Sequence, residues 1–142
     1  MDDEKYLCHT RFNAITDIKS VFYFALYVYI HGCERNFIMS HVKIHAGICG
    51  FSTTVNALSD DNRYAHLLID SECPNFTALK MEFKVVDAYR ECFGKIGEGL
   101  IYRSFQECCP HGACPVPCGV IKAIEVACGF ALAQDVVIEI SM

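Results

Sequence analysis

Tryptophan is absent from this 142-residue chain, proline occurs four times, and charged residues make up only 20%. With 53% hydrophobic residues, that scarcity of charge excludes disorder as the main state, because disordered chains are apolar-poor and charge-rich. A basic excess is missing too. Twelve basic against seventeen acidic residues leave a net charge of -5, with no block of like sign. Nucleic-acid binders present a basic stripe, so no nucleic-acid partner is expected. Long apolar runs are also lacking. The longest, Val21 to Ile30, would span about 15 Å as a helix, half of a bilayer core, so no membrane association is expected. It does not read as a signal peptide, since the chain opens Asp2-Asp3-Glu4 rather than on a short basic segment. Nor does a small-residue cleavage site follow; His31-Gly32-Cys33-Glu34-Arg35 comes next. The expected location is therefore the cytoplasm. No Gly-x-Ser-x-Gly or phosphate-binding loop occurs, and no carboxylate pair suited to hydrolysis stands out.

Cysteine is what the chain does have: ten residues, close to the density of a secreted disulfide scaffold. In a reducing cytoplasm such density points to metal or redox chemistry before disulfides.

The length suits one domain. Residues 1–38 lack the glycine-punctuated units seen later, and two readings of them stand. Either Met39 is the natural start and 1–38 is an upstream extension, or Asp17 to Ile30 forms a genuine N-terminal helix. Residues 39–142 read as a single α+β domain. Val42 to Cys49, Ser52 to Leu58 and Tyr64 to Asp70 read as strands joined by short turns, a three-strand antiparallel meander. From Pro74 onward, Phe76, Leu79, Phe83 and Val86 recur at helical spacing. Asp87 caps a short helix that Gly94 stops. Leu100 to Cys108 reads as a helix, and 109–114 as a loop broken by Pro110 and Gly112. Pro115 and Pro117 then open a helix that ends at Gly129. Val136 to Met142 alternates and reads as a closing strand. The expected architecture is a small, mainly antiparallel sheet with helices on one face.

Four thiols and a histidine fall within eleven residues: Cys108, Cys109, His111, Cys114 and Cys118. The gaps are ligand-like without matching a zinc-ribbon knuckle or a ferredoxin run. Topology adds to them. The first and third strands of a meander run the same way, so Cys49 and Cys73 emerge at one end of the sheet. A 109–118 loop folded over that end would bring Cys49, Cys73, Cys109 and Cys114 together, with Cys108, His111 or Cys118 as substitutes. Converging thiolates suit zinc or an iron–sulfur cluster. Cys92 and Cys128 lie among apolar neighbours and read as core. Cys8 and Cys33 have no assigned role. His41, His45 and His66 read as ordinary strand histidines, and Asp70 and Glu72 are the acids nearest a proposed ligand.

Cys114 supports a second reading. In Cys114-Pro115-Val116-Pro117 the thiol sits at the mouth of a helix, where backbone N–H groups favour a thiolate. The segment from Cys114 through Gly129 to Val136 resembles the TusA-type sulfur-relay family, whose Cys-Pro-x-Pro opens a helix. The resemblance implies sulfur transfer on Cys114 as a catalytic or carrier residue. In that family, however, the motif lies near the N-terminus and is followed by strand, helix and strand. More broadly, Ala46-Gly47-Ile48-Cys49-Gly50, Ser71-Glu72-Cys73-Pro74 and Cys114-Pro115-Val116-Pro117 with Lys122-Ala123-Ile124-Glu125 resemble a family of small Cys-rich proteins of methanogens and other anaerobes. That resemblance spans residues 41–142 and implies a cytoplasmic protein of an anaerobic host, without an activity. A third reading is a metal-free interaction module with an unknown protein partner.

Overall fold

Short β-branched runs between glycine- and aspartate-rich corners build the sheet. The computed structural model describes residues 37–76 and 85–142, within one compact unit, Asn36–Met142. Strands β1 (Ile38–His45), β2 (Ser52–Ser59), β3 (Tyr64–Ser71) and β4 (Val85–Asp87) form one four-stranded antiparallel sheet in sequence order. Register is set by pairs such as Val42↔Val55, Ile44↔Thr53, Val55↔Ile69 and Ala65↔Val86. Alternation then buries Ser40, Ile44, Thr53, Val55, Ala57, Ala65, Ile69 and Val86, the inner set that period 2 demands. The β2–β3 corner closes on Asp61, whose Oδ1 accepts the Arg63 and Tyr64 N–H groups at 2.8 Å each. Asn62 there takes the left-handed conformation, at φ 57°.

Three helices cover the inner face: α1 (Ala88–Phe93), α2 (Leu100–Cys108) and α3 (Val116–Ala127). Helix α3 lies along β1 and β2 and buries Val116, Val120, Ala123, Ile124 and Ala127, at about 1.5–3 kcal/mol for each large side chain. Gly119 permits the close approach, since a Cβ there would run into the Ile44 side chain. Ser40 Oγ donates to the Ala123 carbonyl at 2.6 Å, leaving no stranded polar group in the seam. The direction of α3 follows from these contacts. It starts beside Ile44 and ends beside Ile38, antiparallel to β1.

Asp87 caps α1 as its composition requires, its carboxylate accepting the Tyr89 and Arg90 N–H groups. Helix α2 begins at Gly99 without a local side-chain cap. Glu91 of α1 supplies it instead, with Oε1 accepting the Leu100 N–H and Oε2 the Ile101 N–H, both at 2.9 Å. Gly99 leaves room for that carboxylate; a Cβ would stand 2.5 Å from Oε2.

Three sequence expectations need correcting. The first strand spans Ile38–His45, not Val42 to Cys49. Gly47 and Gly50 take φ 77° and 74° and coil Gly47–Cys49 into a 3-10 turn, so Cys49 sits in a corner rather than on a strand. Of the helix expected from Pro74, the described residues show a 3-10 turn over Pro74–Phe76 at its start and, at its far end, Val86 in β4 rather than in a helix; the β-branched pair Val85-Val86 prefers a pleated neighbour. The closing strand expected at Val136 to Met142 has no ladder partner among the described residues. That segment is exposed, and the fourth strand is Val85–Asp87. The chain leaves α3 through Gly129, and Phe130 seats on Phe93 of α1 with ring centroids 5.3 Å apart, which takes it off the edge of β1. The expectations for Asp17 to Ile30, Cys8, Cys33 and positions 77–84 lie outside the described residues.

Candidate functional site

One end of the sheet collects the ends of β1 and β3 and the start of β2. Its corners are tied together. Glu72 accepts the Ser52 N–H at 2.9 Å and returns its own N–H to the Ser52 carbonyl at 3.0 Å. Thr53 and Ser71 share a hydroxyl hydrogen bond of 2.7 Å, and Ser71 Oγ accepts the Cys73 N–H at 3.2 Å. Cys49, in the corner after β1, and Cys73, after β3, therefore leave from the same end. The two acids thought near a ligand play other parts. Glu72 is this brace, and Asp70 is exposed in β3 opposite Thr54.

Two packing contacts deliver the other thiols there. Phe76, just past Cys73, meets Phe105 of α2 edge-on with centroids 5.0 Å apart, and both rings are buried. The contact draws the last turn of α2, with Cys108 and Cys109, toward Cys73. Gly119 against Ile44 seats the first turn of α3 over the exit of β1, with Cys114 just ahead of it.

Mutual electrostatics record the proximity. Burial pushes the Cys114 thiol up to about 11; the Val116 N–H pulls the other way, while Cys109 and Cys49 oppose ionisation further. Burial also raises Cys108, followed by the effects of Cys109 and Cys73. The neighbours thus run Cys49–Cys114–Cys109–Cys108–Cys73, five thiols from four segments of chain. All five are free thiols, and three of them are held by hydrogen bonds to backbone carbonyls. Cys49 donates to the Ala46 carbonyl at 3.6 Å, Cys109 to the His111 carbonyl at 3.4 Å, and Cys108 to the Ser104 carbonyl at 3.4 Å. The 109–114 loop is closed by the Cys114 N–H on the His111 carbonyl at 3.3 Å. Among the described residues, no three His, Cys, Asp or Glu side chains are already drawn into coordinating geometry. The thiols are gathered but not closed.

The remaining candidates fall elsewhere. His111 contributes its carbonyl and stands on the exposed loop. Cys118, exposed on α3, adds to the raised Tyr102, behind that residue's burial, and to the raised Lys122, behind the Lys122–Glu125 pair. Its neighbours are those residues and not the thiol group. Cys128 is 2% exposed in the core and Cys92 packs against it. Burial lifts Cys92 to about 12 and raises Cys128 as well, so these are the inert core thiols expected from their apolar neighbours. His41 hydrogen-bonds Asn56 at 2.8 Å and His45 the Ser52 hydroxyl at 3.0 Å, ordinary cross-strand contacts. The lowered Cys114 pKa expected at a helix mouth is overturned: burial and two neighbouring thiols outweigh one N–H.

Sequence reasoning missed Glu91. It reaches ten residues along the chain to cap α2 and so positions the helix that ends in Cys108. Its only sequence signal is negative: Gly99 opens a helix with no Ser, Thr, Asp or Asn to cap it.

Residues 40–140 match the model of a family of unknown function (DUF6951), and the chain belongs to that family. No curated protein and no solved structure matches it.

Proposed function

We propose that the protein holds a thiophilic metal, a zinc ion or an iron–sulfur cluster, through Cys49, Cys73, Cys109 and Cys114, with Cys108 able to replace one of them. One observation carries this reading: five free thiols from four segments of chain lie toward one sheet end, Cys114 with Cys109 and Cys49 as neighbours and Cys108 with Cys109 and Cys73. Burial, with the neighbouring thiols behind it, raises Cys114 and Cys108 and holds both protonated at neutral pH. A cation removes both obstacles together, displacing the protons and neutralising the thiolates, so binding releases protons and strengthens with pH. Soft sulfur donors select zinc or iron–sulfur over oxygen-seeking ions. The raised Cys114 thiol weighs against the sulfur-carrier reading, which needs a thiolate near neutral pH.

The test is anaerobic purification with metal analysis and a visible spectrum. A cluster absorbs in the visible and zinc does not. Cys109→Ser and Cys114→Ser should each lower metal content and melting temperature, because each removes a ligand. Cys128→Ser, a core position, should cost stability and leave metal content intact. Equal metal content in the parent and in the Cys109 and Cys114 variants would refute the site.

A further inference from the structure

The end of the chain carries an unused strand. Residues 132–142 are exposed throughout, with Val136 at 63%, Ile138 at 72% and Ile140 at 91%. An alternating apolar segment left in water is costly and sticky. Its backbone N–H and C=O groups pair with no strand of the sheet. Among the described residues, β1 likewise pairs on one side only, with β2, and its other edge is open over eight residues, Ile38–His45.

We propose that the C-terminal segment from Gln134 to Met142 adds as a fifth strand to the open edge of β1 in a second copy of this chain, and that the second copy returns the exchange. The faces match. Val136, Ile138 and Ile140 share one side of the segment; Asp135, Val137, Glu139 and Ser141 share the other. In β1, Val42 and Ile44 face the helices, whereas His41, Lys43 and His45 are exposed on the far side. Side chains of paired strands share a face. Pairing that sets Val136, Ile138 and Ile140 beside Val42 and Ile44 extends the helix-covered layer. It also places both carboxylates along the row of His41, Lys43 and His45. Among the described residues no carboxylate meets Lys43. A one-residue slip would set Asp135 and Glu139 against the apolar seam of Ile44 and α3, where unpaired carboxylates are expensive.

The geometry of the exit favours a second copy over the segment's own edge. Helix α3 ends beside Ile38, at the start of β1. The next residues are then turned away. Phe130 and Ala131 donate N–H groups back to the Glu125 carbonyl, and the Phe130 ring packs on Phe93 of α1, the helix that follows the opposite edge strand. The segment leaves the molecule from there. A reciprocal exchange about a two-fold axis satisfies both edges at once.

Light scattering on the full chain, at concentrations up to about 100 μM where a standard-size interface is populated, should give twice the chain mass. Truncation after Ala133 should give a monomer. Because removing the chain just past α3 can also disturb that helix, charge reversal supplies the second arm. Lys43→Glu or Glu139→Lys alone should raise the dimer Kd roughly tenfold, the pair occurring twice in a two-fold dimer, and the double variant should recover most of the loss. A monomeric full chain, or a dimer that survives both truncation and the single reversals, overturns the proposal. Metal content plays no part in this readout, so its outcome is independent of the thiol site.

Discussion

The reactivity of Cys114 separates the two chemistries considered for its loop. Its thiol is lifted from an ordinary 9.0 to about 11. At pH 8 an ordinary thiol is about 10% ionised and one at 11 about 0.1%, so the reactive pool shrinks about a hundredfold. The more basic thiolate is the better nucleophile, and a Brønsted slope near 0.4–0.5 returns about tenfold over two units. The metal-free protein should therefore alkylate at Cys114 about tenfold more slowly than an unfolded peptide of the same residues. The assay is a quenched iodoacetamide time course at pH 8 with peptide mass spectrometry, repeated from pH 7 to 12. The rate should still be climbing at pH 10, with its inflection near 11. Cys109→Ser removes a neighbour that opposes ionisation and should quicken Cys114, though only in part, because burial is the first cause. An inflection below 9, or a rate above that of the peptide, would refute the reasoning and return the loop to sulfur-carrier chemistry.

Three other measurements follow from the packing. Glu91→Ala removes two charge-assisted hydrogen bonds from the start of α2 and should destabilise the fold by about 1–3 kcal/mol in urea melts; Glu91→Gln, which keeps one acceptor oxygen, should lose less. Gly119→Ala drives a methyl into Ile44, an overpacking cost of about 1–3 kcal/mol that outweighs the gain of up to about 1 kcal/mol in helix propensity; an unchanged or raised melting temperature would show that α3 sits farther from β1. The thiols should make stability fall between pH 9 and 12. The unfolded chain loses its thiol protons near 9.0, while the folded chain keeps those of Cys114 to about 11 and Cys92 to about 12. Over that window the unfolded state binds fewer protons, so rising pH favours it. A denaturation midpoint that rises with pH there would contradict the sign.

Strand and helix identities were legible wherever a local pattern decides them. The β2 and β3 runs, the Asp87 cap, the span Leu100 to Cys108 and the Gly129 stop all match, because alternation, capping chemistry and glycine act over a few residues. Shared strand direction placed Cys49 and Cys73 at one end. The misses are cases where a distant partner decides. Val86 carries a helical spacing yet pairs with Ala65, since β3 offers an edge and Val is content in it. Val136 to Met142 has a strand pattern without an edge in its own sheet. The Cys114 thiol was misjudged because its helix-mouth N–H is visible in sequence, whereas the burial and the Cys109 and Cys49 neighbours that outweigh it are products of tertiary packing. Glu91 illustrates the same limit: no spacing rule reports a cap that arrives from another helix.

That cap has a mechanical consequence. Helix α2 is a strut of nine residues, Leu100–Cys108, clamped at its head by Glu91 and joined at its foot to the thiol group. A free helix this short would fray from either end. Here, loosening the foot leaves the head clamped, so opening runs one way along the strut. The amides of Leu100 and Ile101 then act as a remote gauge. Their hydrogen exchange reports breakage of the Glu91 clamp, while the Cys109 amide, bonded to the Phe105 carbonyl at 2.7 Å, reports release of the foot. Comparing the two ends locates where the strut first lets go, and whether filling the thiol group tightens only the foot or the whole length.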